Sequence, residues 1–378
     1  VSEEIVIPVD GRVPDWAVRY NAGDYPPQAV TGDAVALALD PGAGEWALRG
    51  LLVERGAEPY AGLDAWPGGF MEWEQDADTR QAAIRELREE TGVAAPEWVE
   101  ELASYSRNGR DPRQFAGYRD EGSGEWIARG ARVTTAAYLM LTRDPHGAAA
   151  PSAADDAAQA HWADVYAYLP WEDLRDEPRR RAAAAVHDAL SAWAGKDEGR
   201  RTRVRDVFDL TEWNEERVAE RWALLMEARL VPEARRDRWG RVEKEDDDER
   251  LGREMAFDHR EILADALGRI RGKIKYTPAA LMALAGPEAT LDELQAACEA
   301  IAGRPLHRPN FRRAVAPAGR GEPRVPRIVA RTGRRKPREA PGPGVDPELY
   351  RFRDDALRAR LDTSIRFPWL PLAAGQGG

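Results

Sequence analysis

A single cysteine, Cys298, stands in 378 residues. Disulfides within the chain and a structural zinc cluster built on thiolates are thereby excluded. No stretch approaches the roughly 18 to 20 uninterrupted apolar residues of a membrane-spanning helix, and the first residues lack the basic-then-apolar order of a secretory signal. The expectation is a cytoplasmic protein without a membrane partner. No internal repeat is present. What the chain has is an ordinary 43% of hydrophobic residues and, by length, room for two or three domains.

Its charge is unevenly spread. The net charge is −11, but residues 257–378 hold 22 Lys/Arg against 14 Asp/Glu, which leaves about −19 on residues 1–256. Between Arg304 and Arg338 there are twelve basic residues and one acid, Glu322. An acidic protein carrying one basic module is expected to meet a polyanion through that module.

The richest segment is Trp66 to Val93, where a Gly68-Gly69 turn precedes Arg85, Glu86, Glu89 and Glu90. With Thr79 to Thr91 helical, Glu86 and Glu90 stand one turn apart on one face, and Glu89 lies beside them. Clustered carboxylates repel unless a cation neutralises them, and Mg²⁺ or Mn²⁺ is the expected partner, since hard ions take carboxylates and bridge to phosphates. Arg85 is placed to fork onto the cluster and fix its aim. Gly92 sits where the helix needs a left-handed C-terminal residue. A solvated charged helix is the plainer explanation of the same residues.

Arg85, Glu86, Leu87, Glu89, Glu90, Gly92 and Val93 fill every fixed place of the pattern R-E-U-x-E-E-x-G-U, with U aliphatic, and so resemble the Nudix box. One departure is visible: Met71 to Gln81 is two residues longer than the family's spacing. The box's upstream acid therefore falls among Glu72, Glu74 and Asp76. The resemblance implies a mixed α/β/α sandwich, Glu86, Glu89 and Glu90 as metal ligands with Gly69, and Arg85 with the same three glutamates as the catalytic set.

Apolar runs at Val30–Asp40, Trp46–Glu54, Val133–Leu141 and His161–Tyr168 are expected strands around that helix. From Pro170 to about Ala256 the chain changes to Ala-rich and Arg/Glu-rich helical stretches, including the acidic run Glu243 to Glu249. From Phe257 a compact helical pattern follows, with Thr290 and Glu293 as a capping box and Pro309 opening a basic helix. Two short helices on a tight turn, the second basic, describe a helix-turn-helix, and the stretch ending in Glu348-Leu349-Tyr350-Arg351-Phe352 is the expected wing. The division is an irregular extension 1–27, a Nudix domain 28–170, a charged helical insertion 171–256, a winged helix-turn-helix domain 257–356 and a tail 357–378.

Phe257-Asp258-His259, Lys273 to Pro278, Asn310-Phe311-Arg312-Arg313, Leu349 to Phe352 and, in the first half, Glu58-Pro59-Tyr60 and Arg110-Asp111-Pro112-Arg113 resemble NrtR-type regulators of NAD metabolism and their enzyme relatives. That resemblance implies ADP-ribose or a related nucleotide sugar as substrate or ligand, double-stranded DNA as a second partner, and a homodimer. Arg55 and Arg113 are candidates to hold substrate phosphate. Glu121 and Glu125 are candidates for a loop base, and Tyr105 and Phe115 for stacking on a nucleobase. His259 is read as structural ahead of basic. Asn310, Arg312 and Arg313 are the candidates for the major groove, and Arg331, Arg334 and Arg335 for DNA phosphates.

Overall fold

The computed structural model describes residues 28–42, 45–93, 96–120, 122–143, 157–210, 212–242, 248–316, 328–337, 345–354 and 357. The expected extension 1–27, Glu121, the acids of 243–247 and nearly all of the tail lie outside these residues.

In chain order the first part gives β1 (Gln28–Asp40), β2 (Ala47–Arg55), β3 (Asp64–Ala65), β4 (Gly68–Phe70), helix α1 (Thr79–Thr91), β5 (Trp98–Tyr105), the short strands β6 (Gly117–Arg119) and β7 (Trp126–Ala128), then β8 (Arg132–Thr142) and β9 (Ala157–Asp164). Seven of them form one mixed sheet, ordered β3-β2-β1-β8-β5, with β4 on β1 and β9 on β2; β6 and β7 pair only with each other. The central pair is parallel, from Gln28 against Arg132 to Ala38 against Thr142.

Both faces of that pair are covered, which is why β1 and β8 read as nearly continuous apolar runs. Ala34 and Ala36 of β1 and Tyr138 and Met140 of β8 pack with Ala83 and Leu87 of α1. Val35, Leu37 and Leu39 face the other way, into a core shared with the helices that follow. Helix α1 starts where the Asp78 side chain accepts the Gln81 amide and stops at Gly92, whose φ of 72° and N–H to the Arg88 carbonyl close the last turn.

The rest adds α2 (Glu177–Ala194), α3 (Glu198–Phe208), α4 (Val218–Glu227), α5 (His259–Tyr276), α6 (Pro278–Ala285), β10 (Glu288–Ala289), α7 (Leu291–Ala302), α8 (Arg308–Val315), β11 (Val329–Arg335) and β12 (Glu348–Phe352). The last three strands make a small sheet ordered β10-β12-β11. Thr290 and Glu293 form the capping box at the start of α7, as expected. Cys298 lies on the same helix and packs against the core.

The helices after Pro170 are not a solvated appendage. Trp171, Leu190, Phe208, Trp213, Trp222 and Leu267 all belong to the core that begins on the sheet. Glu172, fully buried, accepts from Arg221 of α4 at 2.6 and 2.9 Å and from Arg271 of α5 at 2.6 Å, so one carboxylate ties three parts of the chain together.

Candidate active site

Helix α1 lies close on β1 because Gly32 has no side chain: a Cβ there would run into the Thr79 carbonyl and the Ala83 amide. The Thr79 hydroxyl also meets the Tyr138 hydroxyl of β8 at 2.7 Å. This seats the acidic face of α1 over the β1–β4 edge.

Arg85 organises that face. Its Nε and Nη2 donate to the two Asp76 oxygens at 3.1 and 2.9 Å, Nη2 also to the Phe70 carbonyl at 3.0 Å, and Nη1 to Glu86 and Glu89 at 2.8 and 3.1 Å. The upstream acid that the lengthened spacing left open is thus Asp76 by geometry. It is buried, and its bonds to Arg85 hold its carboxyl below the ordinary range. Glu72 stays at the rim, 3.8 Å from Arg85, and Glu74 is exposed.

Glu86 lies against Gly69, where any Cβ would collide with its carboxylate. Glu90 accepts the Gly68 amide at 3.0 Å. Behind Gly68 stands Asp33, buried, with one carboxylate oxygen lacking a hydrogen-bond partner. Burial pushes Asp33 up to about 7; burial and then repulsion from Glu86 push Glu90 up to about 8. Glu86 is raised by burial as well. These carboxylates line a cleft of about 420 Å³ in which negative charge is under-compensated.

Among the described residues, no three acidic, His or Cys side chains are drawn into a ready metal cage; Arg85 takes up oxygens of Glu86 and Glu89 instead. The donors still suit a hard divalent ion: they are carboxylates at a glycine turn, with an orphaned buried carboxylate oxygen alongside.

The same cleft is also lined by the two expected phosphate arginines. Arg55 donates to the Pro59 carbonyl at 2.9 Å. Arg113 is held by both oxygens of buried Asp111, the closest at 2.7 Å. Both guanidiniums lie over the Phe257 ring, at 4.8 and 5.3 Å from its centroid. Sequence reasoning named Arg110 and Asp258 only within family phrases; in the fold they form a buried two-bond ion pair at 2.6 and 2.8 Å. Asp33 was missed altogether, because its position inside an apolar strand carries no local signal.

His259 is not a base here. Its Nδ1 accepts the Trp66 amide at 2.8 Å, which puts the proton of the neutral ring on Nε2, 3.6 Å from Asp33. Burial drives its pKa well below the ordinary value. Tyr105 is also removed from the cleft, since it is buried with its hydroxyl on Asp265 at 2.6 Å. Phe115 packs edge-on to Trp239 at 6.4 Å. Glu125 sits exposed beside the β6–β7 ladder, away from the carboxylate cleft.

The basic candidates gather on α8 and the β11–β12 hairpin, each balanced by a nearby group. Asp292 of α7 holds Arg308 at 2.8 Å and Arg312 at 2.9 Å; Arg313 donates to Asn310. Arg331 pairs with Glu348 at 2.9 Å, Arg334 with Glu288, and Arg335 donates to the Asp346 carbonyl at 2.6 Å.

The family model for the NUDIX domain matches residues 31–187. The chain thus carries a match to the NUDIX domain over less than half of its length. Its Nudix match runs past Trp171 into α2. Over 101 residues, 27% of this chain and 38% of the relative, the chain is 35% identical to the "ADPR responsive transcriptional repressor NtrR" of Acinetobacter baylyi. It is 41% identical to the "ADP-ribose pyrophosphatase" of Methanocaldococcus jannaschii over 63 residues, 17% of this chain and 36% of that one. The matched stretches thus span little more than a third of either curated relative. Among solved structures, Shewanella oneidensis NrtR complexed with a 27mer DNA aligns over 88% of this chain and 96% of its own, at 20% identity and a TM-score of 0.46.

Proposed function

We propose that the protein hydrolyses the phosphoanhydride of ADP-ribose or a related nucleoside diphosphate derivative, releasing AMP and ribose 5-phosphate from ADP-ribose. The Arg85 fork carries this reading: one buried guanidinium aims Glu86 and Glu89 into a cleft that Arg55 and Arg113 also line. The name of the Methanocaldococcus relative supports the substrate class.

Magnesium or manganese, held by Glu86, Glu89, Glu90 and Gly69, would neutralise charge on the phosphate oxygens and ease deprotonation of the attacking water. Arg55 and Arg113 hold the phosphates. Glu89, the more exposed of the glutamates that Arg85 holds, receives the water's proton. The water oxygen bonds to phosphorus, the bridging bond breaks, and its electron pair leaves with the departing phosphate. Wild-type protein with magnesium and ADP-ribose should release AMP, and Glu89→Gln should slow release by roughly 100-fold. No AMP from ADP-ribose or a panel of nucleoside diphosphates, with Glu89→Gln indistinguishable from wild type, would refute this.

A second reading is a DNA-binding regulator that senses ADP-ribose in the same cleft. The C-terminal elements support it: α7 and α8 are followed by the antiparallel pair β11 and β12, with β10 joining that sheet. The name of the Acinetobacter relative supports it. A mobility shift on the DNA upstream of the protein's own gene tests it, with salt-sensitive binding relieved by ADP-ribose as the expected result.

A further inference from the structure

Three consecutive residues beyond the matched Nudix segment enter the carboxylate cleft or brace its wall. Phe257 and His259 line the cleft, and Asp258 clamps Arg110, which lines it too. Phe257 is held with φ at +50°, and Tyr60, which meets its ring edge-on at 4.9 Å, has φ at +71°. Left-handed backbone is unusual for bulky residues and persists only where surrounding contacts over-determine it. Those contacts are present. Arg236 donates to the carbonyls of Met255 and Phe257 on one side, while Asp258 locks onto Arg110, whose Nη1 reaches Thr135 of β8 at 3.0 Å.

The strain places one aromatic ring beneath two cations. Arg55, at the end of β2, and Arg113, in the short 3-10 helix Pro112–Phe115, lie 4.8 and 5.3 Å from the Phe257 centroid, and Arg113 also lies 5.0 Å from the Phe70 ring. Two guanidiniums brought together repel, and the negative face of a ring lowers that cost without occupying their N–H donors. The two guanidiniums, anchored on Asp111 and on the Pro59 carbonyl, then stand as neighbouring positive charges lining the cleft, which suits the anionic oxygens of a tetrahedral phosphate.

We propose that Phe257 is a positioning residue of the ligand site, the platform that sets Arg55 and Arg113 for the phosphates of a nucleoside diphosphate derivative. Asp258, through Arg110, fixes where that platform stands. The inference rests on the hydrolase reading above and adds that the site is composite: the segment opening α5 completes it. Ligand held by the two arginines is then felt at the start of α5, and by linkage any partner that shifts α5 alters ligand affinity.

The test is calorimetry and steady-state kinetics on the full chain with ADP-ribose and magnesium. Phe257→Leu keeps an apolar side chain but has no π face; it should lose roughly tenfold in affinity, appearing in KM more than in kcat. Phe257→Tyr should restore most of that loss. Asp258→Asn should also raise KM, and in the wild type the ligand should slow amide exchange in residues 257–262. Phe257→Leu binding like wild type, or no ligand-dependent protection of that segment in a wild type that binds, overturns the inference alone. A wild type that neither binds nor cleaves ADP-ribose removes the functional reading and the inference together.

Discussion

Arg85 touches Asp76, Phe70, Glu86 and Glu89 at once, and its neighbour Glu86 fills the space left by Gly69. The box residues were legible in the sequence because they sit within one helix, where spacing fixes the face. Asp76 was not, because the longer loop before α1 lets several acids reach back and only packing selects the buried one. Asp76→Asn leaves Arg85 with a neutral partner and loosens its aim at Glu86 and Glu89. The expected outcome is a drop in ADP-ribose hydrolysis of about 10- to 100-fold with a smaller change in KM, checked by steady-state kinetics. Phe257 was illegible as a cleft residue for another reason. The neighbouring Trp66 to His259 contact spans 193 positions, and no local pattern encodes such a meeting.

At the scale of elements, α7 and α8 were anticipated closely, from a capping box and a proline start. Their charge pairing was not, since the acids come from neighbouring elements: Asp292 and Glu293 from α7, Glu288 from β10, Glu348 from β12. Exposed ion pairs of this kind contribute little to stability, about 0–1 kcal/mol each, so DNA phosphates can take over the arginines at small cost. In the regulator reading, Arg312→Ala should weaken duplex binding and reduce the slope of log affinity against log salt by about 1. Titrations of a labelled duplex at several salt concentrations check this, and an unchanged slope would remove Arg312 from the interface.

For the whole molecule, the buried carboxylate of Glu172 joins the turn after the sheet to α4 and α5. Burial alone would raise its pKa, but Arg221 and Arg271 together bring it below the ordinary carboxylate value. The folded pKa is thus the lower one. The stabilisation is complete above the unfolded carboxylate value of roughly 4.3 and is lost as pH falls through the folded pKa. Glu172→Gln should cost about 3–5 kcal/mol at neutral pH, because two buried guanidiniums lose their anion; it should also flatten the fall in stability below pH 4, as urea melts across pH would show. The two-part outline of sheet and basic module could be read from composition and motifs. The core that the sheet shares with the later helices could not, because tryptophans in an Arg/Glu-rich stretch look the same whether they cover the sheet or one another.

The parallel pairing of β1 with β8 sets a timetable for synthesis. Thr31 and Thr135 meet across 104 positions, and closing such a loop comes before its hydrogen bonds can reward it. The acidic helix has been translated in full at Thr91, yet half of the surface it rests on is still unmade until Thr142 emerges. Phe257 and Asp258 follow more than a hundred residues later. A nascent chain therefore carries the box's complete wording long before it carries a site, and its crowded carboxylates stay exposed to water until the last strand and the α5 segment arrive.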